Sequence, residues 1–213
     1  MVTRLECRSL IYVPDGPGPH PLLCFLHGVG EAASNSGGDP QPLTRVLEHK
    51  SPGWHAEHAT PFISRFIVIC PQLERQRRWE RSDAGWIDGL VSYVIDTFHG
   101  DPSRCILTGF SYGGEGVFQL AAANMRPWST IWAVDPALQR VPPIPPVNVR
   151  VWVHYGSQQP GGENMPAFSS ALALEPAEGA RTSRRLVTAL REDHTGTSVV
   201  AYDTERVYDW LTA

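Results

Sequence analysis

The stretch GFSYGGEG, residues 109–116, sets a serine between glycines directly after the apolar run RCILT. Gly-x-Ser-x-Gly by itself also describes an ordinary tight turn, so its placement matters. A serine hydroxyl is a weak nucleophile until a base removes its proton, and the chemistry it then does is attack on a carbonyl carbon. A strand running into Ser111 and a helix leaving it predict the sharp turn that lifts such a hydroxyl above a sheet. Gly109, Gly113 and Gly114 suit that turn, where a strained backbone and a close helix leave no room for side chains. The amide of Tyr112, at the start of the helix, would then face a developing oxyanion. A second donor is expected from the turn in FLHGVGE (25–31), which follows the apolar run LLCFL, with Val29 supplying its N–H.

The base must be a histidine near the end of the chain if the order is nucleophile, acid, histidine. His194 lies four residues past RRLVTAL and precedes a terminal helical pattern containing YDWL. The other histidines fit less well. His27 belongs to the glycine turn, His20 precedes its strand, His154 lies within one, His99 follows a helix, and His55 and His58 occupy a long loop.

These residues need a scaffold. Short runs rich in branched and aromatic residues predict strands at 7–13, 22–28, 65–71, 104–110, 130–136, 149–156 and 184–190, several of them apolar on both sides. Helical spacing marks 83–98, 112–125, 166–175 and 204–212. From about residue 65 onward strand and helix alternate. The fold class this predicts is α/β: a doubly wound, mostly parallel sheet flanked by helices, with antiparallel first strands. The 213 residues suit a single domain over 1–213. The proline-rich 140–148 connection is too short to hold a lid domain, whereas the irregular stretch 29–64 is long enough to shape a site.

Composition narrows the partners. With 18 basic and 22 acidic residues and a formal charge of −4, no electrostatic footprint for nucleic acid or an anionic membrane exists. The first residues lack the apolar core of a signal peptide and no later run approaches a membrane span, so a soluble, cytoplasmic chain is expected. Cys7, Cys24, Cys70 and Cys105 lie in apolar runs, outside CxxC or Cys/His clusters, and predict buried thiols with neither zinc nor a disulfide framework. A small acyl substrate is the expected partner.

Taken together, LLCFLHGVGE, FIVICPQ, DPSRCILTGFSYGGEG, VRVWVHYGSQQP and HTGTSVVAYDTERVYDWL resemble, in order and over nearly the whole chain, the α/β-hydrolase superfamily, and within it small lidless carboxylesterases and polyhydroxybutyrate-depolymerase-like esterases. The resemblance implies a triad of serine, acid and histidine and no cofactor. It also implies an aspartate after the penultimate strand, where HYGSQQP carries Gln159. A glutamine can orient an imidazole but cannot offset the imidazolium charge. Two carboxylates are candidates in its place. Asp135 ends TIWAVDPA, one strand after the serine, in a stretch similar to that of pancreatic-type lipases; Glu163 lies in QQPGGEN, four residues late in the expected loop. Asp193, adjacent to His194, points away in this reading.

Three functions remain on these residues. The first is a serine hydrolase cleaving an ester or thioester through an acyl-enzyme; the second is an acyltransferase or releasing thioesterase with a different acceptor. The third is a hydrolase fold repurposed for binding, which Gln159 alone suggests.

Overall fold

Strand β2 (His20–Leu26) shows why the fold is layered. Leu22, Cys24 and Leu26 pack into one apolar cluster while Leu23 and Phe25 pack into another, all of them buried. A strand apolar on both sides needs cover on both, and helices supply it. The structure, a computed structural model, describes residues 8–123, 125–158, 165–178 and 183–213.

Besides β2, the sheet contains β1 (Arg8–Tyr12), β3 (Ile67–Gln72), β4 (Gly100–Phe110), β5 (Thr130–Val134), β6 (Arg150–Gly156), the two-residue β7 (Glu175–Pro176) and β8 (Arg185–Leu190). Their spatial order is β1-β3-β2-β4-β5-β6-β8-β7. Only β1 runs antiparallel, against β3; β2 pairs in parallel with both β3 and β4. The expectation of antiparallel first strands thus holds for β1 and is corrected for β2. The long 27–66 connection lets the chain cross over and return in the same direction, which a hairpin cannot do.

One face carries α2 (Ala84–Phe98), α3 (Tyr112–Ala123) and α4 (Met165–Ala171). The other carries α1 (Pro52–Glu57), α5 (His194–Tyr202) and α6 (Glu205–Thr212). In α2, Ile87, Leu90, Val91 and Val94 fall on one buried stripe, and His99 in the left-handed region ends the helix. Trp132, Tyr202 and Tyr208 are fully buried and meet edge to face beneath α5 and α6. Rings so packed contribute roughly 0.5–1.5 kcal/mol per pair beyond the area they bury.

Three helices differ from the expected pattern, α1 among them, since it lies in the stretch expected to be irregular. Residues 194–202, outside the expected helices, form α5, whose start the Asp193 side chain caps by accepting the Gly196 N–H at 2.7 Å. Helix α4 stops at Ala171, and Ala173 just beyond it has a φ of 52°. Between β5 and β6 the chain is irregular and proline-rich, without a helix or lid. Cys24, Cys70 and Cys105 are buried, while Cys7 lies outside the described residues. None of the described helices is long and apolar enough to cross a membrane.

Candidate active site

At the carboxyl end of β4 the strand passes into α3 through one residue. Ser111 has a φ of 56°, a conformation that non-glycine residues hold only when their surroundings over-determine it. Those surroundings are the ladder and the helix: the Ser111 N–H donates to Val134 O at 3.1 Å, and its carbonyl accepts from Glu115 and Ala137 N–H, each at 3.1 Å. The bend brings α3 onto the strand ends with no space for a Cβ at Gly113, which would meet Leu26 O at 1.8 Å. Gly109 has the same constraint, since a Cβ there would lie 2.4 Å from Gly113 O. The glycine pattern is thus a packing requirement.

Asp135 is the first residue beyond β5, one strand over in the sheet. It too has positive φ, at 40°, and its backbone N–H donates to His154 O at 2.7 Å. Its Oδ1 accepts the Gly156 N–H at 3.0 Å. Two neighbouring strand ends therefore hold this carboxylate, which is buried. His154 beneath it is buried and neutral: burial pushes its pKa down to about 3, and its Nδ1 accepts the Trp132 indole N–H at 3.1 Å.

His194 opens α5 and reaches back between the two. Its Nδ1 lies 2.6 Å from Asp135 Oδ2 and its Nε2 2.8 Å from Ser111 Oγ. A carboxylate only accepts, so Nδ1 carries the proton and Nε2 is left to accept from the serine hydroxyl. Phe110 lies against the imidazole at 4.5 Å between ring centroids, while the histidine side chain stays 40% exposed. The structure thus brings Ser111, His194 and Asp135 together in one hydrogen-bonded line. Gln159 and Glu163 lie outside the described residues.

Across from this line runs the Gly28–Glu31 turn. His27 Nε2 accepts the Leu73 N–H at 3.0 Å, so Nδ1 holds the proton and donates to Gly28 O at 2.5 Å. Burial drives His27 well below the ordinary histidine range and keeps it neutral for this task. Arg45 Nη2 donates to Gly30 O at 3.1 Å, and Gln72 Nε2 to Glu31 O at 2.8 Å. In a trans peptide the N–H points opposite the preceding C=O. With the Gly28 carbonyl held against His27, the Val29 N–H points the opposite way within the same peptide plane. The amide of Tyr112 opens α3 and has no acceptor within its own helix.

Sequence reasoning did not find the residues that brace this arrangement. Arg78 stacks over the Tyr112 ring at 4.3 Å, pairs with Glu115 and donates to Ala137 O at 3.0 Å. Arg45, Gln72, His49 and Glu31 hold the turn from the long 29–64 stretch and from β3. No local pattern marks them, because each acts on residues distant in the chain. Glu31, Glu48 and His49 have ligand-type atoms within 4.8 Å of one another; within this group His49 pairs with Glu31, and Glu48 pairs with Arg45. Trp79 is buried and donates its indole N–H to His27 O at 2.9 Å.

No family model and no curated protein sequence matches the chain. Solved structures do. A thermostable esterase superposes with a TM-score of 0.66 at 17% identity over 96% of this chain, which spans 58% of that protein. A fluorophosphonate-binding serine hydrolase of Staphylococcus aureus gives 0.66 at 14% identity, covering 96% of this chain and 92% of its own. The Bacillus cereus carboxylesterase gives 0.60 at 14%, covering 98% and 96%. With a mostly parallel eight-stranded sheet, a strand-to-helix elbow at Ser111 and a histidine at the last strand, the chain has the fold of the α/β-hydrolase superfamily.

Proposed function

We propose that the protein is a serine hydrolase cleaving a carboxylic ester or thioester of a small molecule through an acyl-enzyme. The observation that carries this reading is the line Ser111 Oγ, His194 Nε2, His194 Nδ1, Asp135 Oδ2, with contacts of 2.8 and 2.6 Å. Ser111 attacks the carbonyl carbon as His194 takes its proton; Asp135 offsets the imidazolium charge; the Val29 and Tyr112 amides receive the oxyanion. Collapse of the tetrahedral species returns the proton from His194 to the leaving alcohol or thiol. Water, deprotonated by the same histidine, then releases the acid.

A repurposed, non-catalytic fold was suggested by Gln159 alone. That premise was a histidine without a carboxylate, and Asp135 supplies one at Nδ1. The exposed edge of His194 and the absence of a lid between β5 and β6 support an open site for small acyl groups.

The test is labelling with a fluorophosphonate, which traps an activated serine, beside turnover of short p-nitrophenyl esters. Labelling at Ser111 that Ser111→Ala and His194→Ala abolish supports the reading. An unlabelled Ser111 in folded protein, with a reference serine hydrolase labelled in parallel, refutes it.

A further inference from the structure

Glu31 is an unusual neighbour for such a site. Its side chain is only 7% exposed and its Oε2 is buried without a hydrogen-bond partner. A Cβ placed on Gly28 would lie 2.9 Å from that oxygen and 3.3 Å from Ser111 Cβ. The carboxylate and the serine therefore both border Gly28, within about 6 Å of one another, where charges interact strongly in a poorly hydrated site. A bare negative charge there opposes the oxyanion that ester cleavage builds at Ser111.

One side chain is placed to neutralise it. His49 Nε2 lies 3.4 Å from Glu31 Oε1. The same imidazole rests against Phe110, 5.4 Å between centroids, and Phe110 in turn packs against His194. The His49 carbonyl accepts from Ser198 Oγ at 3.2 Å, on the helix that His194 opens. His49 and Lys50 both lie in the left-handed region, with φ of 58° and 50°. Two successive non-glycine residues in that region mark strain that their surroundings maintain, and such strain gathers at functional sites.

We propose that His49, as an imidazolium, is a positioning residue for the oxyanion turn: it neutralises Glu31 and ties that carboxylate to Phe110 and to helix α5. The turn's amides then face Ser111 without an unbalanced charge behind them. This proposal rests on the acyl-enzyme reading of Ser111.

The groups around His49 set the direction of its pH dependence. Glu31 holds its proton on through their hydrogen bond, burial works against that, and Glu48, with Oε2 at 4.0 Å, adds to the attraction while Arg45 opposes it; the balance raises His49 above the ordinary histidine range. Burial pushes Glu31 up, but its bond to His49 and the charges around it outweigh burial and keep it ionised. His27 faces Glu31 from 4.0 Å on the other side and stays neutral. On the solvent side Lys50 is paired with Asp203 at 2.9 Å. His49 therefore holds its charge to a higher pH than an ordinary histidine and loses it as the pH rises further, leaving Glu31 uncompensated.

The test follows kcat and the rate of Ser111 phosphonylation over roughly pH 5 to 10 in wild type, His49→Gln, Glu31→Gln and the double variant, beside a histidine NMR titration. Wild type is expected to lose about tenfold in both rates as His49 deprotonates. His49→Gln should be about tenfold slower at neutral pH, with KM little changed and without that alkaline limb. The double variant, with both charges gone, should recover most of the rate. By NMR, His49 should titrate above the ordinary range in wild type and return to it in Glu31→Gln. A limb retained in His49→Gln, a double variant as slow as His49→Gln, or an ordinary His49 titration in wild type overturns the proposal alone. Wild-type Ser111 that neither labels nor turns over esters overturns the acyl-enzyme reading and the proposal with it.

Discussion

On the acyl-enzyme reading proposed above, an acid arm and an oxyanion arm converge on Ser111, and the two are built differently. The acid arm consists of strand ends: Asp135 just past β5, with the Gly156 amide and the His154 carbonyl from β6 holding its side chain and its backbone. Adjacent parallel strands fix these groups, and the sheet's own ladder keeps them in place. The oxyanion arm is a glycine turn held by side chains. His27, Arg45, Gln72 and, through Glu31, His49 each grip it from a different part of the chain. A backbone-built arm is stiff and fails all at once when its functional group is lost. A clamped turn loses function by degrees, one contact at a time, and responds to the charge of its clamps.

The largest effect is expected at the acid. Asp135→Asn should lower kcat on a short p-nitrophenyl ester by about 10³ to 10⁴, since the imidazolium loses its counter-charge and the tautomer is no longer fixed. Activity equal to wild type would remove Asp135 from the reaction. Next comes the turn's innermost clamp. His27→Phe frees the Gly28 carbonyl and leaves the Leu73 amide unpaired, and kcat should drop by roughly 10 to 100, less than loss of a whole oxyanion donor. A drop as large as that of Asp135→Asn would erase the contrast between the arms.

Arg45→Met, which releases only the Gly30 carbonyl and the pairing with Glu48, should slow kcat by about threefold with KM nearly constant. Steady-state kinetics on the same ester checks it. Glu163→Gln should leave kcat unchanged, because Asp135 already occupies His194 Nδ1. A loss of even tenfold would transfer part of the acid arm to the 159–164 stretch.

The arms should also part company with pH. His154 has a depressed pKa in the fold, about 3 against an ordinary 6.5. Between those values the unfolded chain binds a proton that the folded one refuses, so stability under the acid arm falls as pH drops below 6.5. His49 is raised above its ordinary 6.5, so its contribution is complete below that pH and is lost as pH rises through its folded value. Glu31 is lowered from 4.5; its contribution is present above that pH and lost on further acidification. Thermal melts from pH 7 to pH 4 should therefore show a falling Tm, to which His27 and His55, also lowered by burial, contribute, and His154→Gln should lessen the decline. A Tm that does not move over this interval contradicts the buried neutral His154.

Several features were legible in the residues themselves. Gly109, Ser111 and Gly113 mark the elbow because only glycine allows the backbone approach that brings α3 onto the strand end. The alternation of short apolar runs with helical spacing marks the doubly wound sheet, because a strand buried on both faces must be apolar throughout. His194 stood out by its place after the last strand. Less legible were the start of α5 at His194, hidden in a short run with weak periodicity, and the direction of β2, which depends on how a long connection crosses the sheet.

Which carboxylate reaches His194 was only partly legible. Asp135 and His194 are 59 residues apart, and TIWAVDPA put Asp135 forward by its place one strand after the serine, with Glu163 of QQPGGEN as the second candidate. The pairing follows from strand order, which sets β5 beside β4 and β6 and so places Asp135 under the histidine. The clamps on the oxyanion turn lay far from any local signal. The sequence by itself determined the conformations that individual residue types permit, from the glycine elbow to the buried strands, because those depend on sterics and hydrophobicity along a few neighbouring positions. Only the tertiary structure decided the partners, Asp135 for His194 and His49 for Glu31, because a hydrogen bond between distant side chains exists only once the sheet and its connections have set their separation.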